Sequence, residues 1–265
     1  MSEDKFPFMR HLEELRKRLI ACVVALVVGF VLCFNFSDLL FEWLTMPMHK
    51  TIHMQMTEPY MSFVNSPSPG ELVALAPAEA FWVDMKISII AGVVVTIPFI
   101  FWQLWRFISP GLRPREKRLA IPFVAITSTL FILGAAFCFF IVLPFAMSFL
   151  LGYKAQFVRP MLSVEKYMDF CLKFILAFGA VFELPVVIVF LTRLGIVTPD
   201  MLAKHRKYAV LVAFIIAAIL TPTPDAFNQT LMAVPIIFLY EAGILASRIL
   251  PSRKAEAAAQ AKTDK

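Results

Sequence analysis

The sequence predicts an all-α integral membrane protein with six transmembrane helices, and three observations carry that prediction. Of 265 residues, 60% are hydrophobic and 17% charged, whereas soluble domains carry ~25% charged residues. The apolar residues fall into six runs. The basic residues gather beside those runs, at alternate ends, so the net charge of +6 suits an anionic lipid surface and not nucleic acid.

The first span is read at 19–36. Leu19 to Phe36 holds no charge and is flanked by Arg16-Lys17-Arg18 on one side and Asp38 on the other. Upstream, Phe8, Leu12, Leu15 and Leu19 recur at helical spacing, marking an amphipathic helix that leads into the membrane. The run is too long for a signal peptide and lacks a small-residue cleavage site, so it is expected to be retained. Residues 37–80 are mixed and rich in proline, with Pro47, Pro59, Pro67, Pro69 and Pro77. They read as an ordered periplasmic cap.

The second span, 87–107, ends near Trp102 and Trp105, rings that favour the headgroup level. The third, 119–146, belongs to a run uncharged as far as Tyr153. That exceeds one bilayer thickness and requires tilt, a kink at Pro144 or a protruding end, of which the protruding end is favoured. The fourth, 170–191, contains Glu183 followed by Pro185. The fifth, 208–221, and the sixth, 228–247, have apolar stretches short of the ~20 residues a span needs, and Glu241 interrupts the last. Residues 1–250 thus read as one membrane domain and 251–265 as a polar tail. Nineteen of the 25 basic residues lie in the amino tail, the second-to-third loop, the fourth-to-fifth loop and the carboxyl tail, which places both termini in the cytoplasm.

Enzyme chemistry finds little support. Cys22, Cys33, Cys138 and Cys171 have no metal-ligand spacing and read as small hydrophobes. His11-Leu12-Glu13-Glu14-Leu15 departs from a zinc helix because leucine stands where glutamate and the second histidine are needed. His49 and His53 share i,i+4 spacing without a third ligand. No metal or cofactor is expected.

The carboxylates within the basic face, Glu13, Glu14 and Glu116, are more informative. A carboxylate takes two parallel hydrogen bonds from a guanidinium, which lysine cannot reproduce. These residues either read arginines or are neutralised by their basic neighbours. Glu183 is expensive at mid-membrane depth, and Pro185 frees the carbonyl of Val181. This notch reads as a contact for another helix, a structural hydrogen bond or part of a proton path.

His11-Leu12-x-Glu14-Leu15-Arg16-x-Arg18 resembles the amino-terminal signature of the TatC family, the multi-spanning component of the twin-arginine protein translocase. Pro77-x-Glu79-x-Phe81 with Lys86, Phe107-Ile108-x-Pro110-x-Leu112 before Glu116-x-Arg118, and Phe178-Gly179-x-x-Phe182-Glu183-x-Pro185 resemble further family motifs. So do Leu220-Thr221-Pro222, Pro224-Asp225-x-Phe227-x-Gln229 and Tyr240-Glu241-x-Gly243.

The resemblance implies a cup-shaped, six-helix, non-enzymatic receptor of the bacterial inner membrane. Its ligands are the twin-arginine signal peptides of folded precursors, exported on the proton-motive force. It also implies two single-span partners of the TatA and TatB types, and self-association in the receptor complex. Glu14 and Glu116 become the readers of the arginine pair, with Arg16, Arg18 and Phe107 in the same signal-peptide site. Pro47 shapes the outer cap, Glu183 is the intramembrane polar contact for a partner, and Asp225, Gln229 and Glu241 are further functional positions. One departure is Pro114, where some members carry lysine. The alternative is a proton-coupled secondary transporter using Glu183, although that class shows internal repeats and no matching pair of interrupted segments occurs here.

Overall fold

The computed structural model describes residues 5–54, 61–65, 71–109, 120–152, 161–221 and 226–249. Glu116 and Asp225 lie outside these residues, as do the side chains of His49 and His53.

Helix α1 (Lys5–Phe34) is one unbroken rod. The amphipathic leader and the apolar run therefore form a single helix of about 45 Å. After α2 (Ser37–His49) come strands β1 (Lys50–Met54), β2 (Met61–Asn65) and β3 (Glu71–Val73). β1 and β2 pair antiparallel, from Lys50 opposite Asn65 to Met54 opposite Met61. β3 pairs parallel with β4 (Met161–Ser163). These short ladders correct the all-α expectation. Pro59, Pro67 and Pro69 bar a helix across this stretch, while β-branched and aromatic residues in Thr51-Ile52 and Phe63-Val64 suit a pleated ribbon.

Helix α3 (Glu79–Ile108) is followed by α4 (Ala120–Phe137) and α5 (Leu143–Gly152). A π-helical turn, Cys138–Val142, joins α4 to α5. The wide turn falls just before Pro144, whose ring nitrogen has no proton for the carbonyl four residues back. The helix continues past the expected end at 146, and α5 packs against β1. Helix α6 (Val164–Phe182) and α7 (Leu184–Arg193) break at Glu183, one position before the proline-led turn. Then come α8 (Pro199–Lys204), α9 (Arg206–Leu220) and α10 (Ala226–Ile249).

Among the described residues, five helical stretches are long and apolar enough to cross a membrane: His11–Phe34, Glu79–Ile108, Ala120–Leu151, Val164–Arg193 and Ala226–Ile249. The 15 residues of α9 span roughly 22 Å, less than the ~30 Å of a hydrocarbon core. The expectation that the last two helices are both short holds for α9 and is corrected for α10, which runs 24 residues. Polar Asn228, Gln229 and Glu241 end the apolar run in the sequence but do not end the helix, because in-helix hydrogen bonds do not depend on side-chain polarity. Pro235 is also accommodated within it.

The chain forms two compact units: Met1–Met46, Gly70–Ile132 and Pro160–Leu172 in the first, and Pro47–Pro69, Leu133–Arg159 and Lys173–Lys265 in the second. In the first, α1 packs along α3. Their backbones meet at Gly29 and Gly92, where a β-carbon on Gly92 would lie 2.8 Å from Phe30 N. In the second, α10 packs on α7 and α9. Gly134 there lets Phe178 and Phe182 approach, since a β-carbon would fall 2.6 Å from Phe178 O.

Candidate functional site

His11, Glu14 and Arg18 recur at three- and four-residue spacing, so α1 presents them on one face. Gln103 and Phe107 do the same on α3. The packing of the two helices brings these faces together. Arg18 NH2 donates to Glu14 Oε1 at 3.2 Å, and Arg18 NH1 donates to Gln103 Oε1 at 3.1 Å. The His11 ring stacks on Phe107 at 4.5 Å between centroids and 22° between planes. Glu14 is half-buried, with 33% of its side chain exposed.

The chemistry follows from the inventory of donors and acceptors. A carboxylate has about four lone-pair sites, and among the described residues Glu14 uses one of them, for Arg18. Arg18 Nε is buried and has no partner among the described residues, so within them the internal guanidinium is only partly satisfied. The group is thus a half-buried acceptor set, one carboxylate and one amide, that already holds an arginine and is flanked by a stacked ring pair. Glu13, by contrast, pairs with Lys17 at 2.8 Å in full view of solvent, an arrangement of little energetic consequence. Arg16 is exposed, on the side of α1 away from this group. Sequence reading missed Gln103. The signal was available, since an amide between Trp102 and Trp105 interrupts an otherwise apolar helix four residues before Phe107.

A second polar group sits at the opposite end of α3. Glu79, 4% exposed, accepts four hydrogen bonds: Ser163 Oγ at 2.6 Å and Glu165 N at 2.8 Å on one oxygen, Leu75 N and, at 3.3 Å, Ala76 N on the other. It thereby supplies the acceptor that the start of α6 needs. Lys86 Nζ bridges Glu165 at 2.6 Å and Asp169 at 2.9 Å. Tyr167 OH donates to Leu44 O at 2.7 Å. Both Glu79 oxygens are taken up twice over, which marks a structural clamp.

In the second unit Glu183 sits at the break between α6 and α7. Its N–H reaches back to Ala180 O at 3.1 Å, its carbonyl accepts from Val187 N at 2.9 Å, and its Oε1 is buried with no partner among the described residues. Gln229 donates to Phe214 O at 3.1 Å, tying α10 to α9. Glu241 is committed to Arg206 through a two-pronged pair, 2.7 Å from Nε and 2.8 Å from NH2, and Tyr240 OH donates to Leu202 O at 2.9 Å. Pro47 is buried inside α2. Among the described residues no three metal-ligating side chains cluster.

The model of the family described as Sec-independent protein translocase protein (TatC) matches residues 10–235. A Sec-independent protein translocase protein TatC of Desulforapulum autotrophicum is 39% identical over 252 residues, covering 95% of this chain and 88% of that protein. The TatC protein of Aquifex aeolicus is 40% identical over 252 residues, covering 94% and 98%. A crystal structure described as the twin-arginine translocase receptor TatC superposes with a TM-score of 0.76 at 40% identity, covering 90% of this chain and 98% of that one.

Proposed function

This chain belongs to the TatC family of Sec-independent protein translocases, and on that premise we propose how its residues take up a twin-arginine signal peptide. The protein is the multi-pass membrane component of the translocase that acts as receptor, a transport component and not a catalyst. A proton-coupled transporter built on Glu183 is not favoured, because the family model, the relatives and the solved structures all fall within this one family.

The observation that carries the reading is the Glu14, Arg18 and Gln103 group. One carboxylate with spare acceptor capacity stands half-buried beside a stacked ring pair, in an environment where charge-assisted bonds to a guanidinium gain over their value in water. Glu14 takes one arginine of the signal and Glu116 the other, and Phe107 supports the peptide beside them. Arg16 and Arg18 set the local charge. Both termini and this site face the cytoplasm, in keeping with the distribution of basic residues. The membrane is crossed six times, with the 15-residue α9 as the short crossing. Glu183, at the break between two apolar helices and with an Oε1 that no described residue partners, receives the span of a TatA- or TatB-type protein, and Asp225, Gln229 and Glu241 hold the edge formed by the last two helices. Copies associate in the receptor complex, and the proton-motive force drives export.

A photoreactive residue in place of the exposed Leu12 tests the site. It is expected to capture a precursor with two arginines several-fold better than the same precursor with two lysines, and Glu14→Ala and Glu116→Ala each remove the preference. Equal capture of both precursors by the unsubstituted receptor would sink arginine-specific reading.

A further inference from the structure

Helix α10 passes α7 at Gly243. A β-carbon there would lie 2.7 Å from Ile188 Cδ1, 3.1 Å from Pro185 Cα and 3.2 Å from Ile188 Cβ, all inside the ~3.5–4.0 Å at which carbon atoms rest. The two neighbours differ in what they can do about it. Ile188 can swing its terminal methyl aside. Pro185 presents main chain whose φ is locked by the ring, so it moves only if the first turn of α7 moves.

Helix α10 cannot easily yield instead. Three residues before Gly243, Tyr240 OH holds Leu202 O at 2.9 Å, and two residues before it, Glu241 grips Arg206. The displacement therefore falls on the turn that starts at Glu183. That residue is tied to the turn by its main chain, at 3.1 Å to Ala180 O and 2.9 Å from Val187 N, while its Oε1 is held by none of the described residues. Its carboxyl goes where the turn goes.

We propose that Gly243 is a positioning residue: by letting the α10 backbone seat directly on Pro185, it fixes the direction in which the helix break presents Glu183. This inference rests on reading Glu183 as the contact for a partner span. The sequence shows both Gly243 and Pro185 but not that they touch across 58 residues of chain.

The test uses the full chain in membranes with a cysteine at Val187, half exposed and one turn beyond Glu183, and the native cysteines replaced. One readout is the disulfide yield with single cysteines placed along a partner span. The other is the rate at which Cys at 187 reacts with a membrane-permeant maleimide when no partner is present. In Gly243→Ala the disulfide yield is expected to fall at least about fivefold, the factor that ~1 kcal/mol of overpacking carries. The maleimide rate is expected to change similarly, with precursor capture at Leu12 unaltered. Adding Ile188→Ala should not restore either readout, because the main chain of Pro185 still blocks the new β-carbon. Pro185→Ala, which frees the turn while keeping Gly243, should shift both readouts and serves if Gly243→Ala does not accumulate. Wild-type readouts in both variants, or full restoration by Ile188→Ala, would overturn the inference. If Glu183→Ala leaves the partner disulfide intact, the reading of Glu183 fails on its own, and the maleimide rate in Gly243→Ala still decides whether Gly243 directs the turn.

Discussion

Replacing Gly92 by alanine is the most demanding test of how the receptor site is held. The new β-carbon would lie 2.8 Å from Phe30 N, 3.0 Å from Gly29 C and 3.1 Å from Phe30 Cα. All three atoms are backbone, so no rotamer change relieves the clash. Reaching ordinary separation moves α1 away from α3 by roughly 0.7 Å. Arg18 and Gln103 each lie eleven residues from this crossing, on α1 and α3 respectively. The same movement carries their 3.1 Å hydrogen bond to about 3.8 Å, which no longer counts as one. Overpacking costs ~1–3 kcal/mol, while alanine in place of a mid-helix glycine returns ~0.5–1 kcal/mol. The net runs from near zero to a loss of about 2.5 kcal/mol, centred on ~1 kcal/mol, or up to roughly 10 °C in melting temperature at this chain length. A fluorogenic thiol dye reads the melt in detergent, since Cys138 and Cys171 are fully buried and react only on unfolding. Gly29→Ala provides the contrast, because its closest neighbour, at 2.8 Å, is the side-chain methyl Thr96 Cγ2. Thr96→Ser removes that methyl, keeps the hydroxyl bond to Gly92 O, and is expected to recover part of the Gly29→Ala loss and none of the Gly92→Ala loss. A Gly92→Ala protein that melts at or above the wild type and captures precursor normally would refute the reasoning.

Tyr167→Phe removes the hydroxyl that donates to Leu44 O, a carbonyl inside α2 that retains its place in the helix, so it should lower stability by about 0.5–1.5 kcal/mol without changing precursor capture in the folded fraction. Glu79→Gln supplies one acceptor oxygen where two serve four donors, and its melt should fall below that of Tyr167→Phe. Glu241→Arg should destabilise the chain by setting like charges against Arg206, and Arg206→Glu in the same protein should restore the pair. A cycle of the four variants is expected to give a coupling of up to ~1 kcal/mol for a pair this exposed, and a coupling of zero would show that the two-pronged contact holds nothing.

How much the sequence shows depends on the range over which each feature is fixed. Apolar runs, the continuous α1 and the break at Glu183-x-Pro185 are local, and all were readable. The length of α10 was not, because hydropathy falls at Asn228 and Glu241 while helical bonding continues through both. The β3–β4 pair joins residues some ninety positions apart in strands of three, too short for any period to register. Within the candidate site, His11, Glu14, Arg18 and Phe107 stood out through motif and spacing. Gln103 did not, because its importance comes from lying opposite Arg18, a relation between two helices that neither helix carries alone.

Glu14, Glu79 and Glu183 show why residue type and burial do not suffice to separate structure from function here. Each is a carboxylate in or beside an apolar helix, and each falls in a segment that resembles a family motif. Their hydrogen bonding differs. Glu79 has four donors on two oxygens, so any new ligand would first have to break bonds that hold β3, β4 and the start of α6 together. Glu14 takes one N–H from an arginine that Gln103 also holds, leaving acceptor capacity for a second guanidinium. Glu183 Oε1 takes none from the described residues, an arrangement that costs free energy in an apolar surround and is relieved when a partner brings a donor. Losses should therefore sort by spare acceptor capacity: Glu79 substitutions remove folded protein, whereas Glu14 and Glu183 substitutions leave folded protein that has lost, respectively, the arginine pair and the partner span.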